Sequence, residues 1–265
     1  MHLRLLISVL FVAVLATWPD VRAYAVEEVY RDDRFVIVDE GDHGETRIAY
    51  VRDELYRGLE ALGHLGVAVD NAPYPITVRA RPGPGISHVN RRGEIVLHRL
   101  GRNRAPILHE LTHVVAGYER PLGHWSQEGF ASFVQDQFGG NNAYPTYKRP
   151  EELAQIILSN NELLPMADVM ADRGRQKYFG KRDLWLRWRA YAQSSSFVGY
   201  LIGKYGTTPF HAIYNKAVED MDFDAVFGRS KDRLIADWIA SVRQQKPPTD
   251  RARKLYDTLN QNINK

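Results

Sequence analysis

The 265-residue chain contains no cysteine. That excludes disulfides, thiol nucleophiles, cysteine-ligated metals and a lipidated cysteine anchor. A chain without disulfides has to be held by its core. With 44% apolar and 25% charged residues, this one has the composition to bury a core of ordinary size. Charge of one sign is also scarce: the formal balance is only +3. So small an excess gives no electrostatic case for a nucleic acid or a membrane surface as partner.

The N-terminus lacks the length of a membrane span. From Leu5 to Pro19 there are fifteen uncharged residues, short of the roughly 20 that a spanning helix needs. "MHLRLLISVLFVAVLATWPDVRA" has instead a basic start at Arg4, an apolar stretch, and Val21 and Ala23 at the small-residue positions of a cleavage site. This reads as a secretory signal over residues 1–23. Its removal takes away Arg4, Arg22 and Asp20 and leaves the mature chain one charge lower, near +2. It also leaves about 240 residues, the size of one large domain or two closely packed lobes. The expected location is periplasmic or extracellular, with no stable membrane insertion after cleavage. Export without cysteine fits a bacterial periplasm more easily than a eukaryotic extracellular fluid.

What is present reads first as mixed structure. "RFVIVDE" (34–40), "PITVRARP" (75–82) and "GEIVLHRL" (93–100) read as strands, the last as a sheet edge that an extended peptide could join. Residues 45–64 carry Ile48, Val51, Leu55, Leu59 and Leu62 at helical spacing. A helix over 105–117 starts with Pro106 in its first turn. Beyond it the chain reads as helical. Ser126 is placed to cap a helix running to Phe138, with Trp125 and Phe130 at staple positions. Further helices are expected over 150–160, 194–205, from Thr208 and Pro209, and over 231–244. Residues 247–265 read as a polar tail. The fold class is therefore α+β. A small mixed-sheet lobe with the motif helix (24–138) precedes a mainly α-helical lobe (139–246).

The chemistry is concentrated in "HELTHVVAGYERPLGHWSQEGFASF", from His109 to Phe133. His109 and His113 fit H-E-x-x-H, which puts two imidazoles on one helix face a turn apart, within reach of one zinc. Glu110 is rotated off that face and can reach a zinc-bound water instead. Two histidines and a glutamate can also meet on a surface helix by chance. Glu128 follows in the expected first turn of the next helix, with Ala131, Ser132 and Gln135 on its face. A carboxylate there completes a His₂Glu set and leaves the fourth position open. The bland alternative is a glutamate stabilising a helix N-terminus. His124 reads as a solvated loop residue that could reach the site, and His88 and His98 as surface residues. The basic, aromatic run over 173–189 reads as an amphipathic rim beside the cleft.

The paired stretches "HELTHVV" and "WSQEGFASF" resemble the gluzincin metallopeptidases, in particular the peptidase-MA-like relatives of aminopeptidase N. The resemblance implies a zincin-like fold, one Zn²⁺ per chain held by His109, His113 and Glu128, and Glu110 as general base. It also implies a peptide or protein substrate. "YAQSSSFVGYL" is similar to that family's tyrosine helix, which makes Tyr191 the expected oxyanion donor and Tyr200 its fallback. The family's G-x-M-E-N stretch, which holds a substrate's free amine, has no counterpart before His109. The expected activity is thus an exported zinc peptidase, endopeptidase rather than aminopeptidase. The rivals are a zinc-containing binding protein without catalysis and a zinc amidase acting on cell-wall material. The group that accepts from the other ring nitrogen of each zinc histidine is not fixed by spacing; Asp136 and backbone carbonyls are candidates.

Overall fold

Phe35, Val36 and Ile37 are all buried, so the second strand is covered on both faces and does not alternate. The computed structural model describes residues 26–118, 123–143, 147–180 and 183–263. The secretory signal expected over 1–23 lies outside the described residues. Among those described, no helix is long and apolar enough to cross a membrane.

Five strands form one mixed sheet: β1 (Glu27–Arg31), β2 (Phe35–Asp39), β3 (Ile76–Ala80), β4 (His88–Val89) and β5 (Ile95–Leu97), in the order β1-β2-β3-β5-β4. The inner three are parallel, and each outer strand runs antiparallel to its neighbour. This corrects one expectation. The 93–100 stretch is not a sheet edge, because β4 covers it through His88 and Val89. It is also shorter than expected. Arg99 turns into the left-handed region at φ 64°, which ends the strand and opens a single 3₁₀ turn.

Helix α1 (Glu45–His64) matches the apolar spacing read from the sequence: Ile48, Val51, Leu55, Leu59 and Leu62 are its buried stripe. It lies against β2 and against the helix that follows the sheet, α2 (Ile107–Val115). Gly58 permits the second contact, since a Cβ there would come within 2.6 Å of the Leu111 side chain.

The remaining helices are α3 (His124–Phe138), α4 (Pro150–Ser159), α5 (Met166–Met170), α6 (Gly174–Tyr178), α7 (Leu184–Tyr205), α8 (Thr207–Ile213), α9 (Phe223–Phe227), α10 (Lys231–Arg243) and α11 (Asp250–Ile263). Three differ from expectation. α3 is capped three residues before Ser126, at Gly123 in the left-handed region, and Ser126 Oγ donates back to the Gly123 carbonyl at 2.8 Å. Trp125 packs on Phe197 and Phe130 on Phe210, so each joins the core in place of a staple. α7 is longer than the expected 194–205, because the Asp183 side chain accepts the Leu186 N–H at 2.9 Å and starts the helix earlier. The expected polar tail contains α11. Its buried Ala252 and Tyr256, one turn apart, settle on Trp185 and Trp188 of α7.

Candidate metal centre

α2 places His109 and His113 one turn apart on a face turned toward α3. Their Nε2 atoms lie 3.1 Å apart, with ring planes at 88°. Glu128 Oε2 stands 3.2 Å from the first nitrogen and 3.5 Å from the second. All three side chains are buried, at 5–7% exposure. A first-row ion with bonds of about 2.1 Å has tetrahedral edges of about 3.4 Å, and the three observed edges bracket that length. Glu128 Oε2 sits this close to two nitrogens, yet takes no aligned hydrogen bond from any described residue. Two imidazole nitrogens and one carboxylate oxygen converging on one point form a group that could hold a metal ion. Burial opposes ionisation of Glu128, but the charge of His113 and contacts with both histidines hold its carboxyl well below the usual range.

The helices meet closely because of residues that the sequence placed beside Glu128. Ser132 Oγ stands 3.4 Å from His109 Nδ1, the position that usually carries the partner orienting a ligating imidazole. Asp136, the carboxylate considered for that role, accepts the Lys148 backbone N–H at 3.0 Å and the Ser195 hydroxyl at 3.3 Å. Gln135 Oε1 accepts the backbone N–H groups of Leu108 and His109. On the opposite side, Gly129 lets α3 approach α7: a Cβ there would lie 2.8 Å from the Ser194 carbonyl oxygen. Because α3 starts at His124, Glu128 falls one turn deeper than expected. That weakens the reading of it as a first-turn glutamate serving the helix dipole.

Glu110 is buried beside the triad at 5% exposure. Burial pushes its carboxyl up to about 7, with His109 pulling it down and Glu128 raising it further. Among the described residues none hydrogen-bonds its carboxyl, in contrast to Glu54, a buried carboxylate that accepts the Gly140 N–H and pairs with Arg57.

Tyr191 is brought to the site: its ring lies 6.1 Å from that of His109. It stands two turns inside α7 and does not open the helix as its expected counterpart would. Tyr200 is not brought there. Its hydroxyl accepts from Lys204 Nζ at 2.8 Å, and its ring stacks on Phe197. His88 is exposed, as expected, with Nδ1 3.0 Å from the Ile86 carbonyl. His98 is half-buried against Gly85, where a Cβ would come within 2.4 Å of its ring.

His124 corrects another expectation. It is the first residue of α3 and largely buried, with Nε2 3.6 Å from Glu128 Oε1. Tyr118, missed in the sequence, places its hydroxyl 3.0 Å from His124 Nδ1 and 3.3 Å from Glu128 Oε1. Phe179, within the 173–189 stretch, contacts both His124 and Tyr191. The rings of His109, His113, Tyr118, His124, Phe179 and Tyr191 touch in succession and close back on His109, with centroid spacings between 4.6 and 6.1 Å. An α3 start three residues earlier was the signal that would have found His124, because it puts His124 and Glu128 at i and i+4 of one helix. Tyr118 lies beyond the end of α2 and no periodicity reaches it. Among known proteins, no family model matches the chain and no curated protein matches it.

Proposed function

We propose that the chain is a zinc-dependent peptidase, acting within chains and not on a free N-terminus. Two nitrogens and one carboxylate oxygen suit zinc, and three protein ligands with an open fourth position are the catalytic form of such a site. The zincin-like reading of the fold, the export reading and the peptide substrate belong to the same proposal. When bound, zinc supplies Lewis acidity and brings the pKa of a coordinated water to about 7.

The observation that carries the proposal is Glu110. Metal holding does not need it, and burying a carboxylate is costly unless something is gained. A buried carboxylate beside the triad can take a proton from water and pass it to the leaving nitrogen of an amide. Tyr191 has the chemistry to donate to the carbonyl oxygen as charge develops there. The low exposure of the triad favours the rival, a metal site without catalysis, but leaves Glu110 without a role.

The test is Glu110→Gln in the zinc-loaded protein, assayed against a peptide library with His113→Ala as a metal-binding control. The expected result is internal cleavage by the wild type, one zinc per chain in the wild type and in Glu110→Gln, loss of cleavage in Glu110→Gln, and loss of zinc in His113→Ala. Cleavage that survives Glu110→Gln removes the proposed base. Full zinc occupancy in His113→Ala removes the site.

A further inference from the structure

We propose that Tyr118 and His124 are positioning residues that latch the outer oxygen of Glu128, so that this carboxylate offers a metal only one oxygen. The inference rests on the metal reading above and concerns how that ligand is oriented.

A carboxylate has two equivalent oxygens. In a site with an open position, the second oxygen can swing in and occupy it. Here the two oxygens have different surroundings. Oε2 faces the paired histidine nitrogens and takes no aligned hydrogen bond. Oε1 faces the Tyr118 hydroxyl at 3.3 Å and His124 Nε2 at 3.6 Å.

The proton count orders the latch. A phenol has one proton. Donated to Glu128 Oε1, it leaves the Tyr118 oxygen free to accept from His124 Nδ1–H across 3.0 Å. The chain of donors then runs from His124 through Tyr118 to Glu128, and its end is held by the backbone. His124 is fixed one turn before Glu128 on α3. The Tyr118 ring packs edge-on against His113, with centroids 4.6 Å apart. The latch therefore joins the carboxylate ligand to one of the imidazole ligands from outside the coordination sphere. Outer partners of this kind typically change metal affinity by about 10–100-fold when removed.

The experiment is Co²⁺ titration of the whole protein, read by visible absorption, with metal-free thermal unfolding measured alongside. Tyr118→Phe keeps the ring on His113 and removes only the hydroxyl. It is expected to weaken Co²⁺ binding about tenfold or more and to shift the visible bands toward the weaker absorption of a higher coordination number. The metal-free unfolding temperature should stay unchanged. His124→Leu should reproduce both changes, and His124→Asn, which restores a donor near the Nδ1 position, should recover affinity. The Tyr118→Phe/His124→Leu double variant should be no weaker than either single one, because the residues act in series. Wild-type affinity and spectrum in Tyr118→Phe, or additive losses in the double variant, would overturn the latch while leaving the metal reading intact. A wild-type protein that takes up no Co²⁺ overturns the metal reading itself, before any variant is made.

Discussion

Gln135 Oε1, on α3, accepts the backbone N–H of Leu108, on α2, at 2.9 Å, and that of His109 at 3.3 Å. These are the second and third residues of α2, the donors that a capping side chain normally takes. Pro106, at the cap position, makes no side-chain cap. The helix that carries the two histidines of the triad is thus capped by the helix that carries Glu128. Gln135 Nε2 continues to Asn141, whose own amide donates to the Ala105 carbonyl. Replacing Gln135 with Leu keeps the volume but strands two buried N–H groups, at about 2 kcal/mol in all. Urea unfolding of metal-free protein should show that loss, and an unchanged midpoint would mean that the cap is not needed.

Gly129 sets two effects against each other. Alanine in a helix interior is favoured over glycine by about 1 kcal/mol. Its Cβ, however, would meet the Ser194 carbonyl oxygen at 2.8 Å and Val198 Cγ2 at 2.9 Å. A carbonyl in the middle of α7 cannot move aside, and overpacking a tight contact typically costs about 1–3 kcal/mol. Gly129→Ala should therefore lower the unfolding temperature. A rise would show that α3 and α7 separate more easily than their spacing implies.

Under the proposed function, Tyr191→Phe should reduce kcat by about 10²–10³. Zinc content and unfolding temperature should stay at wild-type values, and KM should change far less than kcat, because the hydroxyl matters mainly in the transition state. Steady-state kinetics on a cleaved peptide decide it. Normal turnover would assign the oxyanion to another donor.

Acid should weaken the sheet at Glu94. Bidentate hydrogen bonds from Arg79 and one from Asn90 hold its carboxyl down at about 2. A folded-state pKa below the unfolded value gives stability that is fully present above about pH 5 and is lost as pH falls toward 2. With the side chain 16% exposed, the loss should be about 1–2 kcal/mol after allowance for solvent screening. Metal-free wild type should lose that much more stability than Glu94→Gln between pH 6 and pH 3. Parallel losses would place the acid sensitivity elsewhere.

Local periodicity made much of this molecule legible in its sequence. α1 is bounded as its apolar spacing indicated, and His109 and His113 share a face because i and i+4 geometry needs only a helix; Glu128 joins them through the packing of α3 on α2. Ser132 and Gln135 face α2 as their positions suggested. The misses depend on contacts between distant segments. A two-residue strand, His88–Val89, has no periodicity to detect, yet it changes β5 from an edge to an interior strand. α11 looked like a solvated tail because its mean composition is polar, although Ala252 and Tyr256, with Leu255 and Leu259 beside them, pack it on Trp185 and Trp188. Tyr118 escaped notice because it lies past a helix end, and His124 was read as a solvated loop residue because it precedes the assumed helix start.

The shared cap has a consequence for assembly. α3 packs on α2 and α1 on one side and on α7 on the other. The histidines and Glu128 therefore come together only when α2 and α3 have docked. Under the proposed function, an ion can seat there only after that docking, and its uptake would be a gauge of completed folding.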